Sequence, residues 1–292
     1  MIDLIQGRKS FQAIGNTYPV AGNIIRKDTT VAGVPCAWFT PPSADDENII
    51  IYIHGGAFIF GSIDSHAPLV SYIAQELRRK LLLIEYRLAP EHPFPAAVDD
   101  CVAVINGVRE VHPHLNFGII GDSAGGNIAM STGLALKETN GPGPQYTIVL
   151  SPWVDLECKN ASYQRNKMMD TALGRSYLLE AAELYANGRD LFLPLLSPVN
   201  ANFQGFAPVL IFCGTAEILE DDAIILHKQL SLCGVKAELK RFAGEQHVWP
   251  FMDIDTDAAR RALNDMSKFV AQASDRRLSC QSKRDQQETK RE

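Results

Sequence analysis

The sequence predicts an α/β fold in one domain, a mostly parallel central sheet flanked by helices. Short apolar runs alternate with longer amphipathic segments, the pattern of successive βαβ units. Most of these runs are continuous in Ile, Val and Leu, as strands covered by helices on both faces are. A chain of 292 residues is long for one domain but ordinary for a single α/β domain.

The elements follow in order. The first 25 or so residues stand outside the alternation and are expected to form part of a cap. Strands are expected at "NIIIYI" (48–53), "LLLIEY" (81–86), "FGIIG" (117–121), "YTIVLS" (146–151) and "PVLIFCG" (208–214). "KAELKRF" (236–242) alternates polar and apolar residues, which suits an edge strand. Helices are expected over 67–79, 95–109, 123–138, 220–232 and 257–272, with turn formers such as "NGPGP" (140–144) between elements. Residues 157–196 form a helical insertion between two strands, and insertions at strand carboxyl ends of open α/β sheets sit over the ligand crevice. With the N-terminus it is expected to build a cap on a single domain, residues 1–275. The polar stretch 276–292 is expected to be a fraying helix end or disordered, with a basic contact arm as the alternative.

Composition narrows the function classes. The chain is 46% hydrophobic and 21% charged, with 28 Lys and Arg against 34 Asp and Glu and a formal charge of −6. Mild acidity argues against nucleic acid or an anionic membrane as partner. No apolar run reaches the roughly 18 residues that span a bilayer, and "MIDLIQGRKSF" does not read as a signal peptide. The six cysteines, 36, 101, 158, 213, 233 and 280, show no CxxC pair, so reduced thiols in a cytoplasmic protein are expected.

The most specific signal is "FGIIGDSAGGNIAM" (117–130). An apolar strand runs into Gly121-Asp122-Ser123-Ala124-Gly125 and a helix begins at once, which is G-x-S-x-G in the strand–turn–helix setting it requires. Ser123 is thereby forced onto a sharp elbow, beside the helix N-terminus and the free N–H of Ala124. A Gly-rich turn binding phosphate, or nothing, is the plainer reading. A serine nucleophile also needs N–H donors aimed at the developing oxyanion. "IIIYIHGGAFIFGS" (49–62) places His54-Gly55-Gly56-Ala57 directly after a strand, where glycines let backbone N–H groups approach a ligand. Alone, that stretch would read as a simple strand-ending turn.

A base and an acid must complete the set. Of seven histidines (54, 66, 92, 112, 114, 227 and 247), only His247 follows the last strand in a loop, "AGEQHVWP", that can reach the carboxyl edge of the sheet. His54 comes too early and is expected to shape its loop. The order serine, acid, histidine puts the acid at the end of an intervening strand. Glu217, just after "PVLIFCGTA", is in that place, and Asp155 in "SPWVDL" is the rival. Glu220, Asp221 and Asp222 fall in the first turn of the next helix, where negative charge meets the positive end of the dipole.

"YIHGGAFIFGS", "EYRLAPEHPFPAAVDD", "GDSAGGNIA", "SPWVDL", "SPVNANFQGFAPVLIFCGTAEILEDD" and "HVW", in this order from about 48 to 250, resemble the hormone-sensitive-lipase-like family of α/β-hydrolases, esterases with an HGG(G) oxyanion loop. The resemblance implies an α/β-hydrolase fold with a helical cap and a serine carboxylesterase. It implies a triad of Ser123, Glu217 and His247, with oxyanion donors at Gly55, Gly56 and Ala124. Two residues depart from the family pattern. Glu217 stands where the family usually has Asp, so the loop or His247 must adjust to one more methylene. Ala57 replaces the third glycine of HGGG, tolerable if that position does not need a positive φ. Met168, Met169, Leu173, Tyr177 and Leu178 suggest a hydrophobic substrate pocket, and packing within the cap explains them equally well. The expected substrate is a small, short-acyl ester, with no metal or organic cofactor; a homodimer is left open. Two alternatives stand beside the esterase: an amidase or deacetylase using the same triad, and a small-ligand receptor on the same scaffold. Gibberellin receptors, which resemble this family, have lost the histidine that is present here as His247.

Overall fold

The apolar runs become strands because both of their faces are covered. In β3 (Asp45–Ile53), Ile49, Ile51 and Ile53 enter one core cluster while Ile50 and Tyr52 enter another on the opposite face. In β7 (Val209–Gly214), Val209, Ile211 and Cys213 face the first cluster and Leu210 and Phe212 the second. Period-two alternation of apolar with apolar residues is the pattern of a strand between two helical layers. The structure, a computed structural model, describes residues 2–139 and 143–288, with residue 46 and residues 274–288 described by backbone alone.

The eight strands run in the order β1-β2-β4-β3-β5-β6-β7-β8. From β4 (Arg79–Ile84) through β3, β5 (Asn116–Asp122), β6 (Thr147–Leu150) and β7 to β8 (Ala237–Phe242) every pairing is parallel, and β8 lies at the edge. The other edge is antiparallel. There β1 (Ile25–Val31) pairs with β2 (Val34–Thr40), and β2 with β4. These two strands lie in a region for which the sequence predicts none. β1 is largely exposed and offers no buried run to read.

Of the helices, α2 (Ile63–Leu77), α3 (Ala96–Val111), α4 (Ala124–Glu138) and α7 (Glu220–Leu232) lie within a few residues of their expected spans. α9 begins at Asp257 as expected and its backbone continues to Glu288, taking in most of the polar stretch expected to fray or be disordered; 289–292 lie outside the described residues. α1 (Leu4–Gly15) packs on α2, and the insertion contains α5 (Ser162–Arg165) and α6 (Arg175–Ala186). A four-residue helix, α8 (Trp249–Met252), follows the histidine loop. Among the described residues no helix is long and apolar enough to cross a membrane, and the described cysteines are free thiols.

This topology fixes the site. The loops that carry His54, Ser123, Ser151, Glu217 and His247 all leave the carboxyl ends of adjacent parallel strands, where ligands of open α/β sheets bind.

Candidate active site

At the end of β5 the chain turns directly into α4 with Ser123 at φ 52° and ψ −120°, a conformation that costs a non-glycine residue of order 1–3 kcal/mol. Backbone bonds hold it there: Ser123 N–H donates to Leu150 O at 2.8 Å, and its own carbonyl accepts from Trp153 and Asn127. The side chain is 8% exposed, set at the helix N-terminus.

The structure brings the three distant residues together. Ser123 Oγ lies 2.8 Å from His247 Nε2, and His247 Nδ1 lies 2.7 Å from Glu217 Oε2. No other histidine meets Ser123 among the described residues. Glu217 is fully buried, and its second oxygen, Oε1, accepts from Gly214 N–H at 2.7 Å and from Ser151 Oγ at 2.9 Å. Burial pushes its carboxyl above the ordinary value; the bonds from His247, Gly214 and Ser151 pull the other way. These contacts answer how a glutamate fits: Gly214 and Ser151 receive Oε1, leaving Oε2 for the histidine. Ser151 also accepts from Val248 N–H at 3.1 Å, so one hydroxyl ties Glu217 to the residue after His247. Sequence reasoning did not single out Ser151, although it opens "SPWVDL" directly after a strand.

Asp155, the rival acid, is occupied elsewhere: its carboxylate accepts from Glu157 and Lys159 N–H within its own turn. Glu220, Asp221 and Asp222 do open α7, but each also ties the helix to another segment. Glu220 meets Arg165 and Arg241, and Asp221 meets Arg165 and Ser162 N–H. Asp222 is buried and accepts from Val154 and Asp155 N–H, which fixes the chain beyond Ser151.

The loop after β3 differs from expectation in two places. Gly55 N–H is not free. It donates to Asp122 Oδ1 at 3.1 Å, an oxygen that also accepts from Tyr52 OH at 2.9 Å. Gly55 therefore anchors the loop instead of offering a donor to a ligand. The N–H groups of Gly56, Ala57 and Ala124 have no hydrogen-bond partner among the described residues. Secondly, Ala57 does need a positive φ. The run Gly56, Ala57, Phe58 has φ values of 117°, 53° and 67°, so alanine here occupies the left-handed region, at a cost of ~1–2 kcal/mol. His54 shapes this loop: its Nδ1 lies 2.8 Å from Gly55 O and its ring stacks on Tyr86. Burial lowers its pKa to about 3, which keeps it neutral.

The expected pocket residues do not converge. Met168 is 91% and Met169 48% exposed, so they stand on the outer surface of the insertion and are not walls of an enclosed pocket. Tyr177 and Leu173 are partly buried against the core, and Leu178 is buried in it, because α6 spends its apolar face on packing. The aromatic residues gathered at the loop after β3 are instead Phe58, Trp153 and Tyr185, with Phe58 and Tyr185 stacked at 3.8 Å.

Residues 50–251 match a family described as having the alpha/beta hydrolase fold. The chain is 32% identical over 264 residues to an acetyl-hydrolase of Streptomyces hygroscopicus, covering 90% of this chain and 87% of that one. It is 30% identical over 231 residues to an esterase of Acinetobacter venetianus, covering 78% and 76%. The crystal structure of an esterase from the bacterial hormone-sensitive lipase family superposes with a TM-score of 0.90 at 31% identity, over 94% of this chain and 92% of that one. The eight-stranded sheet, the serine elbow at the end of β5 and these similarities lead to one assignment: the chain belongs to the α/β-hydrolase family, among the esterases that resemble hormone-sensitive lipase.

Proposed function

We propose that this protein hydrolyses small, short-acyl carboxylic esters by acyl transfer through Ser123, with His247 as base and Glu217 as its orienting acid. The observation that carries the reading is the unbroken line of hydrogen bonds from Ser123 Oγ through both ring nitrogens of His247 to Glu217, at 2.8 and 2.7 Å. A nucleophile within reach of a base that is itself oriented by a third group is the arrangement acyl transfer needs.

His247 Nε2 takes the Ser123 proton as Oγ attacks the ester carbonyl. The N–H groups of Gly56, Ala57 and Ala124 stabilise the oxyanion. Each such donor is worth ~10²–10³ in rate when aimed at the developing charge. His247 then gives its proton to the departing alcohol, and water, deprotonated by the same nitrogen, releases the acid. Glu217 holds the tautomer in which Nε2 is the acceptor and stabilises the imidazolium that forms between steps. Among the relatives, one is named an acetyl-hydrolase and one an ethyl acetate hydrolase, which supports a short acyl group.

Turnover of p-nitrophenyl acetate and butyrate, measured beside the matching anilides, tests the reading. Ester hydrolysis abolished by Ser123→Ala, with Ser123 labelled by an organophosphate, is the expected result. Absence of both turnover and labelling overturns it, and faster cleavage of the anilides moves the protein to the amidases.

A further inference from the structure

A short segment of the insertion lies across both loops that carry the acid and the base. Asn166, 1% exposed, donates from Nδ2 to Glu217 O at 2.7 Å and to Thr215 O at 3.2 Å. Asp170 accepts from Ile218 N–H through Oδ2 at 2.7 Å, while its Oδ1 accepts from Ala172 and Leu173 N–H. Backbone groups on both sides of the Glu217 side chain are thus held by two residues of one turn. Gln246 precedes His247, and its Oε1 accepts from Thr171 N–H at 3.0 Å and from Thr171 Oγ1 at 3.2 Å. Its Nε2 donates to Met169 O at 3.0 Å.

The loops also meet directly, through Ala216 N–H to Glu245 O at 3.1 Å and Gly244 N–H to Thr215 Oγ1 at 2.9 Å. Those bonds involve neither Glu217 nor Gln246. The strand ladder cannot set the acid–base distance either, because the pairing of β7 with β8 ends at Gly214 and Phe242, ahead of both residues.

We propose that Asn166, Asp170 and Gln246 are positioning residues, and that segment 166–171 is a brace holding Glu217 and His247 in register with Ser123. The insertion thereby acts on the chemical step and not on substrate binding alone. This inference rests on the reading of Ser123, His247 and Glu217 as the reacting set. Productive geometry tolerates only about 0.5 Å of displacement, and a misplacement of about 1 Å costs ~10²-fold.

Gln246 is half-buried, so Gln246→Ala leaves the core untouched. With p-nitrophenyl acetate the expected result is a kcat ~10-fold lower with KM within about twofold of wild type. The rate of Ser123 labelling by an organophosphate falls by the same factor, since it reports the nucleophile without an ester-binding step. Asp170→Asn must set its NH2 against either Ile218 N–H or the N–H groups of Ala172 and Leu173, so one side of the brace is lost whichever way the amide turns, and it is expected to lower kcat further at unchanged KM. Gln246→Glu keeps the acceptor for both Thr171 donors but loses the donor to Met169 O, and is expected to recover only part of the loss. Active wild type with kcat and labelling unchanged in Gln246→Ala and Asp170→Asn, or with the loss confined to KM, overturns the brace alone. Wild type that neither turns over nor is labelled overturns the reading beneath it and the brace with it.

Discussion

The loop after β3 and the loops after β7 and β8 converge on Ser123 but are held in place by different means. The first is set by backbone conformation. Three successive residues, Gly56, Ala57 and Phe58, have positive φ, Gly55 N–H is pinned to buried Asp122, and Arg8 of α1 donates to Ile59 O at 3.0 Å from outside. The acid and histidine loops are set mainly by side chains: Ser151 on Glu217 and on Val248 N–H, Asn166 and Asp170 on the acid loop, Gln246 on the insertion. A loop fixed by φ admits few residue types at each position. A loop fixed by side chains can absorb a longer residue if the partners shift.

The largest effect expected from breaking this arrangement is at the acid. Glu217→Gln is expected to lower kcat ~10³–10⁴-fold, as loss of the orienting carboxylate does in other triads. Glu217→Asp sharpens the comparison. The shorter arm cannot reach both the Gly214–Ser151 cradle and His247, so its kcat should fall between wild type and Glu217→Gln, with Ser151→Ala costing it less than it costs wild type. Asp155→Asn should leave kcat nearly unchanged; if that substitution silences the enzyme, the acid has been misassigned. Steady-state kinetics on p-nitrophenyl acetate reads all of these.

On the other side of the comparison, Gly55→Ala is expected to cost ~10²–10³ in kcat, equivalent to losing an oxyanion donor. A Cβ there would stand 2.2 Å from Asp122 Oδ2 and 2.9 Å from Asp122 O. Asp122 is buried and already holds Tyr52 OH, so the loop must move and carry the Gly56 and Ala57 N–H groups with it. Activity within threefold of wild type, in protein with a native circular dichroism spectrum, would show that the loop is not rigidly set. Ala57→Gly should act in the opposite sense, and only on stability. It removes ~1–2 kcal/mol of left-handed strain and adds ~0.4–1 kcal/mol of unfolded-chain entropy. A net gain of up to about 1.5 kcal/mol in urea unfolding is expected, and a loss would mean that the alanine methyl makes a packing contact outweighing its strain.

How much of this was legible in the sequence follows the same division. The strands leading to Ser123 and Glu217 were readable because burial on both faces leaves continuous apolar runs, the edge strand before His247 was readable by its polar–apolar alternation, and the order along the chain grouped Glu217 and His247 with Ser123. β1 left no such trace, since an antiparallel edge strand largely exposed to solvent needs no apolar run, whereas β2 lies inside the sheet, is mostly buried, and carries a short apolar run, Cys36 to Phe39, that sequence reasoning passed over. The state of the loop after β3 was hidden for another reason. A letter code carries no φ, so Ala57 read as a harmless replacement, and nothing local to "HGGA" announces that Asp122, next to the nucleophile, takes the Gly55 N–H. Ser151, Asn166, Asp170 and Gln246 were hidden as ordinary polar residues. Their function comes from meeting loops 48 to 97 positions away, as Asp170 does with Ile218 and Ser151 with Val248.

The smallest expected effect concerns the acids beside Glu217, which tie the insertion to α7 without touching the reacting groups. Arg165 donates to both oxygens of Asp221, at 2.7 and 3.1 Å, and to Glu220 at 2.8 Å. Burial alone would raise both carboxyls, but Arg241 and Arg165 at Glu220, and Arg165 with Ser162 N–H at Asp221, outweigh it and hold both below their ordinary values. A carboxyl lowered in the folded state adds stability that is present above its unfolded pKa and is lost as pH falls through the folded one. For Glu220 and Asp221 that window lies below about pH 4. Arg165 is 47% exposed, so solvent and salt screen the pair, and Arg165→Ala is expected to cost no more than about 1 kcal/mol at pH 7. Unfolding measured at pH 7 and pH 3 should show that cost smaller at the lower pH, where the unfolded chain's carboxyls take up protons and the advantage of the folded ion pairs declines. A cost that persists undiminished at pH 3 would show that the Arg165 stem stabilises by packing, and a kcat that falls with it would extend the brace from Asn166 and Asp170 to the α7 acids.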